Sequence, residues 1–247
     1  MSKDNWPFFW GMLALAVGIS LAGRFLSNTV RDLKSGEEII SSTGSATKPI
    51  QSDFMIWRGR LSATGATSQA AFPEIKRHVE RLKAYFQKEG VKPEELVFPP
   101  IATSPMYQTR VLEGDQTINE VVGYELSQGF EIQSNDVARI TAVSRKVTDL
   151  IEEGVPLESY APEYYFTKLA EMRIEMLGVA TDDAKVRAEK MAESAGGKVG
   201  VLRSISSGVF QVTPRYSTDV SGYGMNDTTS LEKDITAVVK ATFAVEH

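Results

Sequence analysis

Apolar residues follow three rhythms along this chain: one unbroken run, alternation by twos, and spacing by threes and fours. The unbroken run, Trp6 to Gly23, carries no charged side chain and ends at Arg24. Alternation is clearest where Val122, Tyr124, Leu126, Phe130 and Ile132 are interleaved with Gly123, Glu125, Ser127, Gly129 and Glu131. That pattern predicts a strand with one wet and one buried face. It returns in Ile235, Ala237, Val239, Ala241, Phe243 and Val245, a final strand expected inside a sheet or paired with another subunit.

Helical spacing predicts three helices. The first covers about 70–89, with Phe72, Ile75, Val79, Leu82 and Phe86 as its stripe and Gly90 as its stop. Val137, Ile140, Val143, Val147 and Leu150 mark the second, capped by Ser134 or Asn135 and closed by Gly154. The third, within 168–195, lines up Leu177, Ala180, Ala184, Ala188, Met191 and Ala195. Its small side chains let the axis approach a sheet closely, and Gly196-Gly197 ends it before the strand of Val199, Val201, Leu202 and Ile205. Ahead of the first helix, Ile39-Ile40 and the face Met55, Trp57, Leu61, Ala63 read as a hairpin turning at Lys48-Pro49. Leu96 to Ala102 reads as a strand at an edge or with a bulge because of Pro99 and Pro100, 103–119 as a loop, and Tyr164-Tyr165-Phe166 as a short strand.

The first two helices end alike, in Glu89-Gly90-Val91 and Glu153-Gly154-Val155, each followed closely by proline. This echo of βαβ-like units predicts an α+β fold: a mostly antiparallel sheet with helices packed on one face, preceded by one N-terminal transmembrane helix. The expected organisation is a signal-anchor or transmembrane segment over 1–26, a linker over 27–36 and one domain over 37–247. The run Trp6–Gly23 just reaches bilayer-spanning length, with Trp6 and Trp10 suited to the interface. A cleaved signal peptide ending near Ser20-Leu21-Ala22 is the competing reading. The retained anchor is preferred because Leu26, Val30 and Leu33 continue the helical pattern. Arg24, Arg31 and Lys34 outnumber Lys3, so charge alone does not settle the orientation.

Composition narrows the chemistry. With 247 residues, 42% hydrophobic and 24% charged, the chain can bury a core, and its net charge of −5 without a basic cluster argues against nucleic acid. No cysteine is present, which removes disulfides and thiolate chemistry. Two histidines, His78 and His247, cannot build a metal cluster or a triad. Ser45-Ala46-Thr47-Lys48 has the Ser-x-x-Lys spacing of serine acylases, but that motif must open a helix, and here it falls in a strand and turn. Asp182-Asp183 reads as a helix start, Glu152-Glu153 as a solvated helix end, and Asn226-Asp227-Thr228 as a chance glycosylation match. No catalytic residue, cofactor or metal is therefore expected. The segment 213–230, with Tyr216 and Tyr223 among Ser, Thr, Gly, Asp and Asn, reads as a mobile loop or a contact arm.

Three stretches carry a family resemblance: Gly44-Ser45-Ala46, Asp183-Ala184-Lys185-Val186-Arg187-Ala188-Glu189-Lys190-Met191-Ala192, and Gly200-Val201-Leu202-Arg203-Ser204-Ile205-Ser206. With the order of elements, they resemble the SIMPL domain of bacterial envelope proteins, over about Glu37 to Glu246. The resemblance implies a periplasmic domain without established enzymatic activity, in a family that includes ring-like homo-oligomers. The retained anchor departs from the freely exported members. Two function classes follow. One is a non-enzymatic protein of the inner membrane, its domain in the periplasm, whose partners are further copies of itself and the lipid bilayer. The other is a ligand- or protein-binding, chaperone-like module.

Overall fold

The computed structural model describes residues 18, 38–111 and 117–246. The linker 27–36, His247 and, apart from Gly18, the run Trp6–Gly23 lie outside the described residues. Among the described residues no helix is long and apolar enough to cross a membrane. The elements in chain order are β1 (Ile39–Gln51), β2 (Phe54–Gly65), α1 (Ser68–Lys88), a 3-10 turn (Pro93–Glu95), β3 (Leu96–Val97), β4 (Ala102–Val111) and β5 (Thr117–Ser134). Next come α2 (Val137–Lys146), α3 (Asp149–Glu152), β6 (Leu157–Ser159), β7 (Glu163–Tyr165) and α4 (Leu169–Ser194). The chain closes with β8 (Lys198–Ser207), β9 (Gln211–Pro214), β10 (Met225–Asn226) and β11 (Glu232–Glu246).

The α+β class holds, but the strands form two sheets, of five and six, instead of the single sheet expected. The predicted β1–β2 hairpin does not form. β1 runs straight through Lys48-Pro49 and pairs with β11, while β2 pairs with β5, β6 and β7. Proline is tolerated there because β1 is an edge strand. The short link between β1 and β2 is held apart by other segments: Ser52 N–H donates to the Leu231 carbonyl and Asp53 N–H to that of Tyr165.

Two compact units emerge. The larger comprises Ala46–Leu177 and Val209–Ala237. Its six-stranded sheet is antiparallel, with β5 central between β2 on one side and β3 and β4 on the other. Met55, Trp57, Leu61 and Ala63 of β2 face inward as the alternation requires, in register with Ser134, Ile132, Gln128 and Leu126 of β5. Over that face lie Ile75, Val79, Leu82 and Phe86 of α1 and Val137, Ile140 and Val143 of α2. Phe86 and Phe130 meet the Trp57 ring edge-on at 5.6 and 5.2 Å, an arrangement that adds about 0.5–1.5 kcal/mol per pair beyond area burial. Phe72, expected on the α1 stripe, is exposed, and Ala71 takes its place.

The repeated helix ending is real geometry. Gly90 and Gly154 have φ 77° and 79°. The N–H of the following valine reaches back five residues in each case, Val91 to the Phe86 carbonyl at 2.8 Å and Val155 to that of Leu150 at 3.0 Å. Both valines are buried, completing the left-handed cap and its apolar contact. The cap of α2 is neither Ser134 nor Asn135: Asp136 accepts the Arg139 N–H, and Ser134 Oγ accepts that of Asp136.

Among the described residues the smaller unit comprises 38–45, Gly178–Gly208 and 238–246. Here α4 buries Ala180, Ala184, Ala188 and Ala192, a strict i, i+4 line narrower than the predicted stripe. Met191 and Ala195 are exposed, because only small groups face the helix from β1. Ser42 Oγ donates to the Ala184 carbonyl at 2.5 Å, and Gly44 lies against Ala180 and Ala184. Across the same core, Ala241 and Phe243 of β11 meet Ala184 and Ala188. β11 sits inside its sheet, taking β1, β8 and β9 as neighbours.

Candidate functional site

The segment 103–119, expected as a loop, is mostly strand. β4 and the start of β5 form a ribbon from Ala102–Ser127 to Val111–Thr117, with a register shift between Met106 and Tyr107. All ten residues of β4 and the first six of β5 are exposed. Exposure on both faces removes the alternation that marks a half-buried strand, which explains why the sequence pattern reads as loop. Paired residues share a face, so Tyr107, Val121 and Val111 stand on one side and Ile118 on the other. β8 has the same character: its pairing is antiparallel to β11, eight of its ten residues are exposed, and Val201, Leu202 and Ile205 stand in solvent.

A second feature is a buried lysine. Lys233 is 2% exposed, and its Nζ donates to the carbonyls of Tyr164, at 2.7 Å, and of Asp227. Burial pushes the ammonium pKa down against the opposing pull of Asp227. Asp227 is held below the usual carboxylate range despite its own burial, because Thr229 and Ser230 donate to it and Lys233 lies nearby. A cavity of ≈ 100 Å³ lies against Tyr164, Phe166, Val212 and Lys233, enough for a few waters and not for a metabolite. The arrangement ties the 225–233 segment to β7. It offers no free nucleophile, since the amine is engaged. The sequence does carry a signal for it: Lys233 stands in the inward rhythm of Ile235, Ala237 and Val239.

Residues singled out from sequence do not converge. Ser45 and Lys48 are three apart on one strand and so point to opposite faces; the Ser45 N–H donates to Asp183, and Lys48 Nζ pairs with Glu175 at 2.6 Å. Asp183 also accepts from Arg187. His78 is buried in α1, its Nδ1 3.4 Å from the Ser62 carbonyl and its Nε2 3.6 Å from Glu74. The Glu153 carbonyl accepts from Arg81. In the 213–230 segment, β10 pairs in parallel with β9, and Tyr216, at φ 63°, and Tyr223 stand in solvent. Among the described residues no three His, Asp or Glu side chains are placed to hold a metal.

Two polar networks brace the larger unit. Glu95 accepts from Ser134 Oγ, from Arg139 Nη2 at 2.8 and 2.9 Å, and from Lys92 N–H. Burial works against its charge, and these donors outweigh it and hold its pKa low. On the sheet, Arg58 bridges Glu131 at 2.6 Å and Glu163 at 3.2 Å. Glu131 is held low by Gln133 and Arg58, and Glu163 by the Tyr165 hydroxyl and Arg58.

The fold and its surfaces define an α+β domain with long exposed strand edges. The chain belongs to the SIMPL family, described as a protein of unknown function (DUF541), whose match spans residues 40–243. No curated protein matches it. Solved structures with partial similarity include the de novo designed protein Foldit4, at 12% identity over 43% of this chain and 93% of that one with a TM-score of 0.24. The GlnK–ATP complex of B. subtilis is another, at 18% identity over 43% of this chain and 83% of that one with a TM-score of 0.25.

Proposed function

We propose that this SIMPL protein is a non-enzymatic, membrane-tethered component of the bacterial envelope that self-associates into a homo-oligomer. The observation that carries the reading is the pair of long strands, β4 and β8, exposed along nearly their whole lengths. Proteins normally shorten, cover or charge such edges, because an open row of N–H and C=O groups pairs with whatever strand it meets. Retaining two of them fits a protein whose edges are used. The divergence of Ser45 from Lys48, and the engagement of the Lys233 amine by two carbonyls, support a role without turnover. The uncharged run Trp6–Gly23 supports the tether.

Light scattering on the detergent-solubilised full-length chain tests the assembly, with a defined multiple of the chain mass expected. A folded, strictly monomeric chain at about 100 μM, where weak specific complexes already form, overturns it. Intact-mass measurement on the membrane-derived protein tests the tether, and a mature N-terminus near Gly23 rules it out.

A further inference from the structure

We infer that copies of this chain join by strand addition, β4 of one copy lying along the outer edge of β8 of the next. This rests on the self-association proposed above and names the surfaces that produce it.

The two strands match in length and in what each lacks. β4 and β8 have ten residues each, and among the described residues β4 pairs only with β5, and β8 only with β11. One edge of each therefore presents backbone groups whose natural complement is another extended backbone. Both strands also carry exposed apolar side chains. The ribbon places Tyr107, Val111 and Val121 on one face and Met106 and Ile118 on the other; the register of β8, which slips between Ser204 and Leu202, places Ile205 and Leu202 on one face, opposite Ala241 and Phe243. A lipid surface would cover one face of the ribbon and leave Met106 and Ile118, or Tyr107 and Val121, wet. A paired strand supplies cross-strand neighbours on both faces at once.

The residues that guard edges fall at the margins. Pro105 and Arg110 bracket the uncharged stretch Met106-Tyr107-Gln108-Thr109, and Arg203 precedes the uncharged stretch Ser204-Ile205-Ser206-Ser207. Each open stretch is four residues long, with no Lys, Pro or acid inside it to block pairing. The occupant of each edge is then supplied by the chain itself. Joining two different surfaces makes the contact head-to-tail, the kind that closes a ring or extends a filament.

The absence of cysteine makes the test clean. Full-length chains carrying one cysteine at Tyr107, Gln108, Thr109 or Arg110 are mixed with chains carrying one at Ser204, Ile205, Ser206 or Ser207, then oxidised. Because each chain holds one thiol, any link is between copies. The expected result is a disulfide-linked β4–β8 dimer whose yield alternates by twos along each strand. Links between β4 variants alone, or yields without that periodicity, overturn the inference. So does an oligomeric mass with no β4–β8 link, which leaves self-association standing on another surface. A monomeric mass overturns both readings. As a second measurement, Tyr107→Lys with Val111→Lys places charge on an exposed face and should weaken self-association about tenfold or more with an unchanged circular dichroism spectrum. An unchanged oligomer in that folded variant also rejects the inference.

Discussion

Gly44 passes so close to Ala184 that a Cβ on the glycine would sit 2.3 Å from the Ala184 nitrogen, and 2.2 Å from the Ala180 carbonyl oxygen. Both contacts are backbone, so no side chain can swing away. Gly44→Ala must push α4 off β1 and should cost about 1–3 kcal/mol, the range for overpacked sites. Thermal unfolding would register this as a fall of about 2–4 °C per kcal/mol. A variant that melts within a degree of the parent would show that the close approach is not needed.

The Glu95 network predicts an acid-side dependence. Its folded pKa lies below the ordinary 4.5, so the unfolded chain takes up its proton first as pH drops. The stabilisation is complete above about pH 4.5 and is lost as pH falls through the lower folded value. Glu95→Gln should therefore be about 1–3 kcal/mol less stable than the parent at pH 7, as for a lost charge-assisted hydrogen bond. That gap should shrink in urea titrations below pH 4. A gap independent of pH would mean the charge contributes nothing.

Lys233 predicts the opposite side of the scale. Burial lowers its pKa from 10.5, so between the folded value and 10.5 the unfolded chain binds more protons. Stability contributed at this site therefore rises with pH across that window. The difference in unfolding free energy between the parent and Lys233→Met should move in favour of the parent as pH is raised from 7 to 10. A flat difference, or one of opposite slope, would contradict a buried ammonium.

Legibility followed burial asymmetry. Where one face is wet and the other dry, as at Leu126, Phe130 and Ile132 or at Ile235, Ala237 and Val239, alternation located the strands directly. The glycine stops at Gly90 and Gly154 were equally plain, because only a left-handed residue can end those helices in that way. The path of β1 is hidden in the sequence because the residues it buries toward α4 are Ser42 and Gly44, which carry no hydrophobic signal, and because proline in an edge strand looks like a turn. β4 is illegible in the sequence because all ten of its residues are exposed, and that same exposure is what makes it the candidate surface. Lys233 was legible as an anomaly in an apolar rhythm. Its partners, Tyr164 and Asp227, were not, since they lie 69 and 6 residues away along the chain.

β5 has a consequence for how the molecule opens. Its last residues, from Leu126 to Ser134, lock into the aromatic core, while its first six run out into solvent with β4. One continuous strand thus spans a steep gradient of protection. Amide protons at its inner end exchange only when the core lets go, whereas those at the outer end are released by fraying that leaves Trp57 undisturbed. Opening of the ribbon is thereby uncoupled from the packing around Trp57, so its outer end is the part of the sheet that gives way at the lowest free energy.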